Sequence, residues 1–381
     1  MIKKMLIINE SPIYGGHEEM FIRHVNEFVK LNKFNASIVI NKKNERFGNQ
    51  LKILNEQKKC NLNIIYKNFS GWPVRPLTNI FAIADILWLI VTMFKLKISK
   101  VIVIQGTIEI GGLSLTVSRL LNKKTISYLP ITKRSSDIGV KFGRLRDFIN
   151  KIFYYKMPHE YITISDFNRF ELFKYFNVPF EKIKVVPNFI DNSNEDIDLK
   201  KSDHGLQKNI FLIIGRIDAL QKRQEDFLDI ISADPIINDI EVHIIGDDNS
   251  EQCHMLRKKY ANVDAIKFWG WLTSIEIKKK IKESSGVIIP SRYEGVPLVM
   301  IEAINANRVV FASNVDGMKE YLPKQWLFNA SDLTDSKRVI RSYLEKPTAY
   351  TDGVACVKDN FNSIFNARKN SEKFFNIIES D

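Results

Sequence analysis

Ser291-Arg292-Tyr293-Glu294-Gly295-Val296-Pro297-Leu298-Val299-Met300-Ile301-Glu302-Ala303 joins two kinds of local structure. It follows the apolar run Gly286-Val287-Ile288-Ile289-Pro290, which reads as a short buried strand. It ends in Leu298 to Ala306, a run of good helix formers. A tight turn through Gly295 lies between. Pro297 falls near the first helical position, where its missing N–H leaves nothing unpaired. The order is strand, loop, helix. A helix start offers unpaired N–H groups and the positive end of a dipole, which suit a phosphate. Gly295 lets that phosphate come close to the backbone, and Val296, Pro297 and Leu298 carry the turn into the helix. Glu294 lies in the loop and Glu302 lies about a turn and a half inside the helix. The two carboxylates can therefore reach past a phosphate in opposite directions. That fits a ligand with hydroxyls on both sides of a diphosphate, such as a nucleotide sugar. It also fits an ordinary βα unit with two solvated glutamates.

The stretch resembles the Glu-x7-Glu signature of the retaining GT-B glycosyltransferases of family 4, also called group 1. Pro-Ser stands before the first glutamate, glycine after it, and Glu-Ala at the second. The resemblance implies a GT-B fold: two Rossmann-like α/β/α domains facing an interdomain cleft. It implies transfer of a hexose or N-acetylhexosamine from a nucleotide sugar, UDP- or GDP-linked, to a hydroxyl acceptor with retention. In that reading Glu294 contacts the donor sugar and Glu302 the ribose. No metal and no further cofactor are expected.

Other parts of the chain bear on the same reading. Asn209 to Ile214 reads as a buried strand and is followed by Gly215-Arg216-Ile217-Asp218-Ala219-Leu220-Gln221-Lys222. Two cations in a loop after a strand can grip a diphosphate, Arg as a fork and Lys as a point charge. The segment resembles the family's Gly-Arg…Gln-Lys motif, which implies that Arg216 and Lys222 hold the donor phosphates; without it they read as surface charges. Strand-like Met5 to Asn9 leads to Gly15-Gly16-His17-Glu18 and a helical pattern. Gly15 and Gly16 place backbone amides near a ligand beyond the strand end. They resemble the family's Gly-Gly-x-Glu loop at the donor diphosphate and acceptor, which makes His17 and Glu18 cleft candidates; His17 also fits a solvated surface histidine. Relatives carry a sugar-proximal histidine after the strand at Thr125 to Tyr128. Here Tyr128-Leu129-Pro130 stands there, and Tyr128 becomes a cleft candidate.

The 381 residues suffice for two domains, and the composition, 45% hydrophobic and 26% charged, is that of a globular protein. Cys60, Cys253 and Cys356 are odd in number and far apart, so no disulfide framework or CxxC site is expected and a cytoplasmic location fits. The apolar run after Met1-Ile2-Lys3-Lys4 is too short for a signal-peptide core. Domains are expected at 1–190 (acceptor-binding) and 191–360 (nucleotide-sugar-binding), with a helical segment at 361–381 returning to the first. Asp191 to Gln207 reads as a linker, and its Asp196-Ile197-Asp198 as a chance match to the DxD string of metal-dependent enzymes.

Net charge is +12 and uneven. Residues 1–190 hold 30 Lys and Arg against 14 Asp and Glu; residues 191–381 hold 26 against 30. The basic half suits anionic lipid headgroups or a phosphorylated acceptor, though a Lys-rich proteome also makes basic surfaces. Two segments sharpen the point. Leu77 to Phe94 is very apolar and reads as a buried or membrane-apposed helix. Lys133 to Lys151 interleaves cations with aromatics; it also fits a solvated helix with an apolar face. The expected acceptor is lipid-linked or a growing polysaccharide, with the protein on the inner face of the cell membrane. The chain carries no nucleic-acid motif, and none is expected as a partner. A sugar-nucleotide epimerase-like enzyme and a non-catalytic nucleotide-binding module are the alternatives.

Overall fold

In a computed structural model of the chain, the described residues are 4–57, 59–70, 76, 79, 81–190, 209–246 and 250–380. The expected linker, with Asp196 and Asp198, lies outside them. The chain divides into two compact units, residues 1–191 with 367–381, and residues 192–366.

The first unit is built on a seven-stranded sheet: β1 (Met5–Asn9), β2 (Phe34–Asn41), β3 (Cys60–Lys67), β4 (Lys100–Ile104), β5 (Lys124–Tyr128), β6 (Glu160–Thr163) and β7 (Ile183–Val185). Their order is β3-β2-β1-β4-β5-β6-β7, and every pairing is parallel. The second unit holds β8 (Asn209–Ile214), β9 (Ile240–Ile245), β10 (Ile266–Gly270), β11 (Gly286–Ile289), β12 (Val309–Ser313) and β13 (Leu327–Phe328). Their order is β10-β9-β8-β11-β12-β13, again all parallel. Counted within each unit, both sheets contain the doubly wound order 3-2-1-4-5-6, reversing direction beside the first strand. Parallel strands need crossover helices, so both sheet faces are covered and the strands become continuous apolar runs. All five residues of β4, and all of β11 and β12, are buried.

The C-terminal helical segment differs from the sequence reading. It is two helices, Pro347–Ile364 and Ala367–Glu379, and the units divide at the break between them rather than at 360. The last helix belongs to the first unit. Phe375 stacks on Phe28 at 3.8 Å between centroids, Phe374 stacks on His24 at 4.3 Å, and Ser371 Oγ donates to the His24 carbonyl at 2.8 Å. Lys100, at the start of β4, donates to the Ile378 carbonyl at 3.0 Å, satisfying part of the helix's C-terminal end. Phe374, Phe375 and Ile378 are fully buried, roughly 1.5–3 kcal/mol each of hydrophobic stabilisation.

Among the described residues no helix is long and apolar enough to cross a membrane. The apolar segment before Lys95 forms a helix at Ile83–Lys95. Its Asp85 is buried and held by Lys67 Nζ at 2.8 Å and by the Ser70 N–H at 2.9 Å.

Candidate active site

In the second unit the strand order reverses between β8 and β11, which pair directly. The loops leaving the C-terminal ends of these two strands therefore stand side by side, where doubly wound sheets bind ligands. They are the two loops singled out by sequence, Gly215 to Arg223 and Pro290 to Pro297. Hydrogen bonds lace them together. The Arg292 N–H donates to the Gln221 carbonyl at 2.7 Å, and Gln221 Nε2 donates to the Tyr293 carbonyl at 3.4 Å. Lys222 Nζ forms an ion pair with Glu294 Oε1, and Ser291 Oγ donates to that same oxygen at 2.8 Å. The Glu294 side chain is 9% exposed and that of Lys222 22%, so the pair sits in a partly desolvated site.

Gly215 makes the turn out of β8 at φ +141°, a conformation that an L side chain rarely adopts. Lys222 then folds back over it: a Cβ at Gly215 would lie 3.7 Å from Lys222 Cε. Arg216 is exposed, its guanidinium 3.2 Å from Asp218 Oδ2. The loop is fixed from behind by Gln224, whose amide donates to the Arg216 carbonyl at 2.8 Å and accepts from the Asp218 N–H at 3.2 Å.

The helix after the second loop runs Leu298–Asn305. Pro297 is its N-cap rather than its first residue, and no side chain caps the start. Gly295, Val296 and Pro297 are buried, while Leu298 and Glu302 are half-buried. Tyr293 is also half-buried, and burial, then Asp218, raises its phenol pKa. Two residues of the next connection support the loop and were given no role by sequence. Asp316, buried and at φ +47°, accepts from the Glu294 N–H through Oδ2 at 2.9 Å. The Gly317 N–H donates to the Gly295 carbonyl at 3.2 Å. The signal for both is an Asp-Gly pair just past the end of β12, the strand beside β11. Ser291 was in view, but its contact with Glu294 was not.

The first unit repeats the arrangement at β1 and β4, again neighbours where the order reverses. His17 packs on the loop after β4: a Cβ added at Gly106 would lie 3.2 Å from the His17 ring. The space beside Gly16 is open to 4 Å. Two expectations are corrected here. Glu18 is fully buried, and its carboxylate closes the start of helix Gly16–Val29. It accepts from the Gly15 N–H at 2.8 Å, from Asn9 Nδ2 at 3.0 Å and from Asn44 Nδ2 at 3.4 Å. So the Gly15 amide is occupied, and Glu18 is an internal cap rather than cleft surface. His17 Nε2 lies 2.9 Å from Glu18 Oε1 without hydrogen-bond geometry. Tyr128 is likewise internal, 1% exposed, with its ring 5.6 Å from that of Phe374 and its phenol pKa raised by burial. Among the described residues, no three His, Cys, Asp or Glu side chains gather as a metal site.

Residues 208–346 match the family model described as glycosyl transferases group 1. The second unit carries a glycosyl transferases group 1 domain. The match covers both loops of its switch point. By sequence the chain is similar to an uncharacterized glycosyltransferase of Methanocaldococcus jannaschii, 29% identical over 178 residues, 42% of this chain and 44% of the relative. It is also similar to the lipopolysaccharide 1,6-galactosyltransferase of Salmonella typhimurium, 27% identical over 100 residues, 25% of this chain and 27% of the relative. The matched stretch thus spans less than half the length of either curated relative. By structure it is similar to Anabaena HepE, solved with UDP and glucose, at a TM-score of 0.75 and 14% identity, with all of both chains covered. Sucrose-phosphate synthase of Thermosynechococcus elongatus gives the same TM-score and identity over 98% of each chain. The two Rossmann-like units, in this order along the chain, make up a GT-B fold.

Proposed function

We propose that this protein is a retaining glycosyltransferase of family 4. It moves a hexose or N-acetylhexosamine from a nucleotide sugar to a hydroxyl of a lipid-linked or growing polysaccharide. The observation that carries this reading is the meeting of Lys222, Glu294 and Ser291 where β8 and β11 part, beside an uncapped helix start. Cations, a glycine turn and helix N–H groups suit a diphosphate, and the two glutamates flank it.

In this mechanism the bond between the anomeric carbon and the diphosphate oxygen breaks, and the acceptor oxygen bonds to the same face of the sugar. Negative charge grows on the departing diphosphate. Lys222, Arg216 and the start of helix Leu298–Asn305 stabilise it, which takes the place of a metal ion. The acceptor proton passes to the departing phosphate oxygen, so no side chain is assigned as base. A bound diphosphate competes with Glu294 for Lys222, which frees the carboxylate to accept from sugar hydroxyls. Glu302, a turn further along, accepts from the ribose. His17, Gly16 and Gly106 lie at the corresponding switch point of the first unit, with Gly16 assigned to the donor diphosphate and His17 to the acceptor side. The galactosyltransferase likeness supports a saccharide acceptor, and the HepE complexes make UDP the first base to try. The basic first half is placed toward the inner face of the cell membrane, in keeping with its excess of Lys and Arg.

The test is thermal stabilisation by UDP, GDP, ADP and NAD, and by the sugar conjugates of the nucleotides, for wild type and Glu302→Ala. One nucleoside diphosphate should raise Tm in wild type and lose most of that effect in the variant. Stabilisation by NAD alone, or by no nucleotide, would reject the reading.

A further inference from the structure

Helix Gly143–Ile152 of the first unit turns three polar side chains, Arg146, Asp147 and Asn150, toward the protein. Arg146 and Asn150 bind the buried Glu109, with Arg146 Nε at 2.9 Å and Asn150 Nδ2 at 2.8 Å, and Asp147 accepts from the Ser136 N–H at 3.1 Å. Its large apolar side chains face outward: Leu145 is 57% exposed and Phe148 63%, and Ile152 follows on the same stripe. Phe142 and Phe153 flank it at 59% and 56%. A second helix, Ile83–Lys95, also carries an exposed apolar stripe. Leu89 and Met93 are buried on its inner face, while Ile83, Leu87, Val91 and Phe94 stand 48–64% exposed at helical spacing.

Both helices cover the same apolar cluster of the first unit. Leu89 and Met93 of one helix and Ile149 of the other pack into the same apolar cluster. Tyr154, just past one helix, donates to the Pro76 carbonyl ahead of the other at 2.8 Å. The exposed charges around them are mostly cations, with Asp137 the exception and paired to Arg134 at 2.8 Å. Asp85 and Asp147 are turned inward onto their partners, while Lys95, Lys97, Lys141, Arg144 and Lys156 are exposed. Exposed apolar stripes bordered mainly by cations fit a surface that is apolar beneath and anionic above.

We propose that these two helices form a membrane-docking face. Leu145, Phe148, Leu87 and Val91 enter the acyl boundary of an anionic bilayer, and the bordering Lys and Arg meet its headgroups. The membrane placement above rests on net charge; this gives it a surface, and it does not depend on sugar transfer.

Flotation of the full chain with vesicles tests the proposal, and because it reads partition, its failure is distinct from failure of the transferase reading. Wild type should float with phosphatidylcholine vesicles containing phosphatidylglycerol, and at least about tenfold less with phosphatidylcholine alone. L145S/F148S should lose about tenfold or more of the binding even at low salt, with Tm unchanged because both sites are exposed. K141E/R144E should lose most of the salt-dependent part. In Phe148→Trp, the new indole's emission should shift to the blue on vesicles and be quenched by brominated lipid. Failure of folded wild type to float, or equal flotation of L145S/F148S, overturns the proposal. So does a wild-type dimer in sedimentation that L145S/F148S dissociates, since a second copy would then cover the face.

Discussion

Lys222 and Glu294 pair across the ends of β8 and β11, 72 positions apart in the chain. Glu294 is not placed by its own loop alone. Gly215 turns Lys222 back over β8, and Asp316 holds the Glu294 backbone. Removing the ammonium should cost both binding and rate. For Lys222→Ala, transfer from a UDP- or GDP-sugar should fall on the order of 10²–10³-fold, as for loss of a donor to developing charge. Stabilisation by the nucleoside diphosphate should shrink with it. Steady-state kinetics and thermal shift check this; a rate within about twofold of wild type would exclude Lys222 from the leaving-group site.

Asp316 pairs an uncommon backbone conformation with a needed acceptor. At φ +47° most side chains are strained, and Asp and Asn are among the most tolerant. Asp316→Ala should therefore lose the tolerance as well as the bond to the Glu294 N–H, destabilising the protein by about 1–3 kcal/mol. Asp316→Asn keeps an oxygen acceptor and the tolerance, and should stay within about 1 kcal/mol of wild type. Urea unfolding of the two variants decides it: equal losses would mean that the carboxylate's charge, not its geometry, matters.

The sheets and the loops leaving β8 and β11 were legible because their signals are local. Val101 to Ile104 and Val309 to Ala312 are runs that only strands of a covered sheet bury on both sides. Gly215 and Gly295 mark turns out of such strands. What sequence did not give is which loops meet. That Gln221 touches Arg292, or that Asp316 holds Glu294, follows from strand order, which one chain's spacing leaves open. Glu18 misled for a related reason. A Gly-Gly-x-Glu loop can present its glutamate to a ligand or use it to cap its own helix, and Asn9 and Asn44, remote in sequence, draw it inward. The outward apolar face of Gly143–Ile152 was hidden because periodicity shows that a helix has two faces, not which one is buried.

Gly317 is a steric prediction. A Cβ there would lie 2.2 Å from the Gly295 carbonyl oxygen and 2.8 Å from Val296 Cγ2. The oxygen is backbone and cannot swing aside, so Gly317→Ala must displace the loop that carries Glu294. Overpacking of this kind costs about 1–3 kcal/mol. Because the displaced loop is the proposed donor-side loop, nucleotide-induced stabilisation should drop more than Tm itself. Calorimetry with and without nucleoside diphosphate separates the two; an unchanged nucleotide shift would mean that the loop is not part of the donor site.

His24 ties the last helix to the first unit and makes that attachment sensitive to acid. Its ring is 1% exposed, stacked on Phe374 and edge-on to Phe189 at 4.9 Å. Burial pushes its pKa down from 6.5 to about 3. The unfolded chain thus binds a proton below about pH 6.5 that the folded protein refuses until about pH 3. Stability is unaffected by this group above pH 6.5, and falls by about 1.4 kcal/mol per pH unit below it until the folded pKa is reached. Carboxylates add their own acid dependence, so the test is a difference. Between pH 7.5 and 5, wild type should lose about 2 kcal/mol more than His24→Phe, which keeps a ring for Phe374 and carries no proton. Identical pH profiles from urea titrations would mean that His24 takes up its proton while still folded and that the helix is not held by a neutral imidazole.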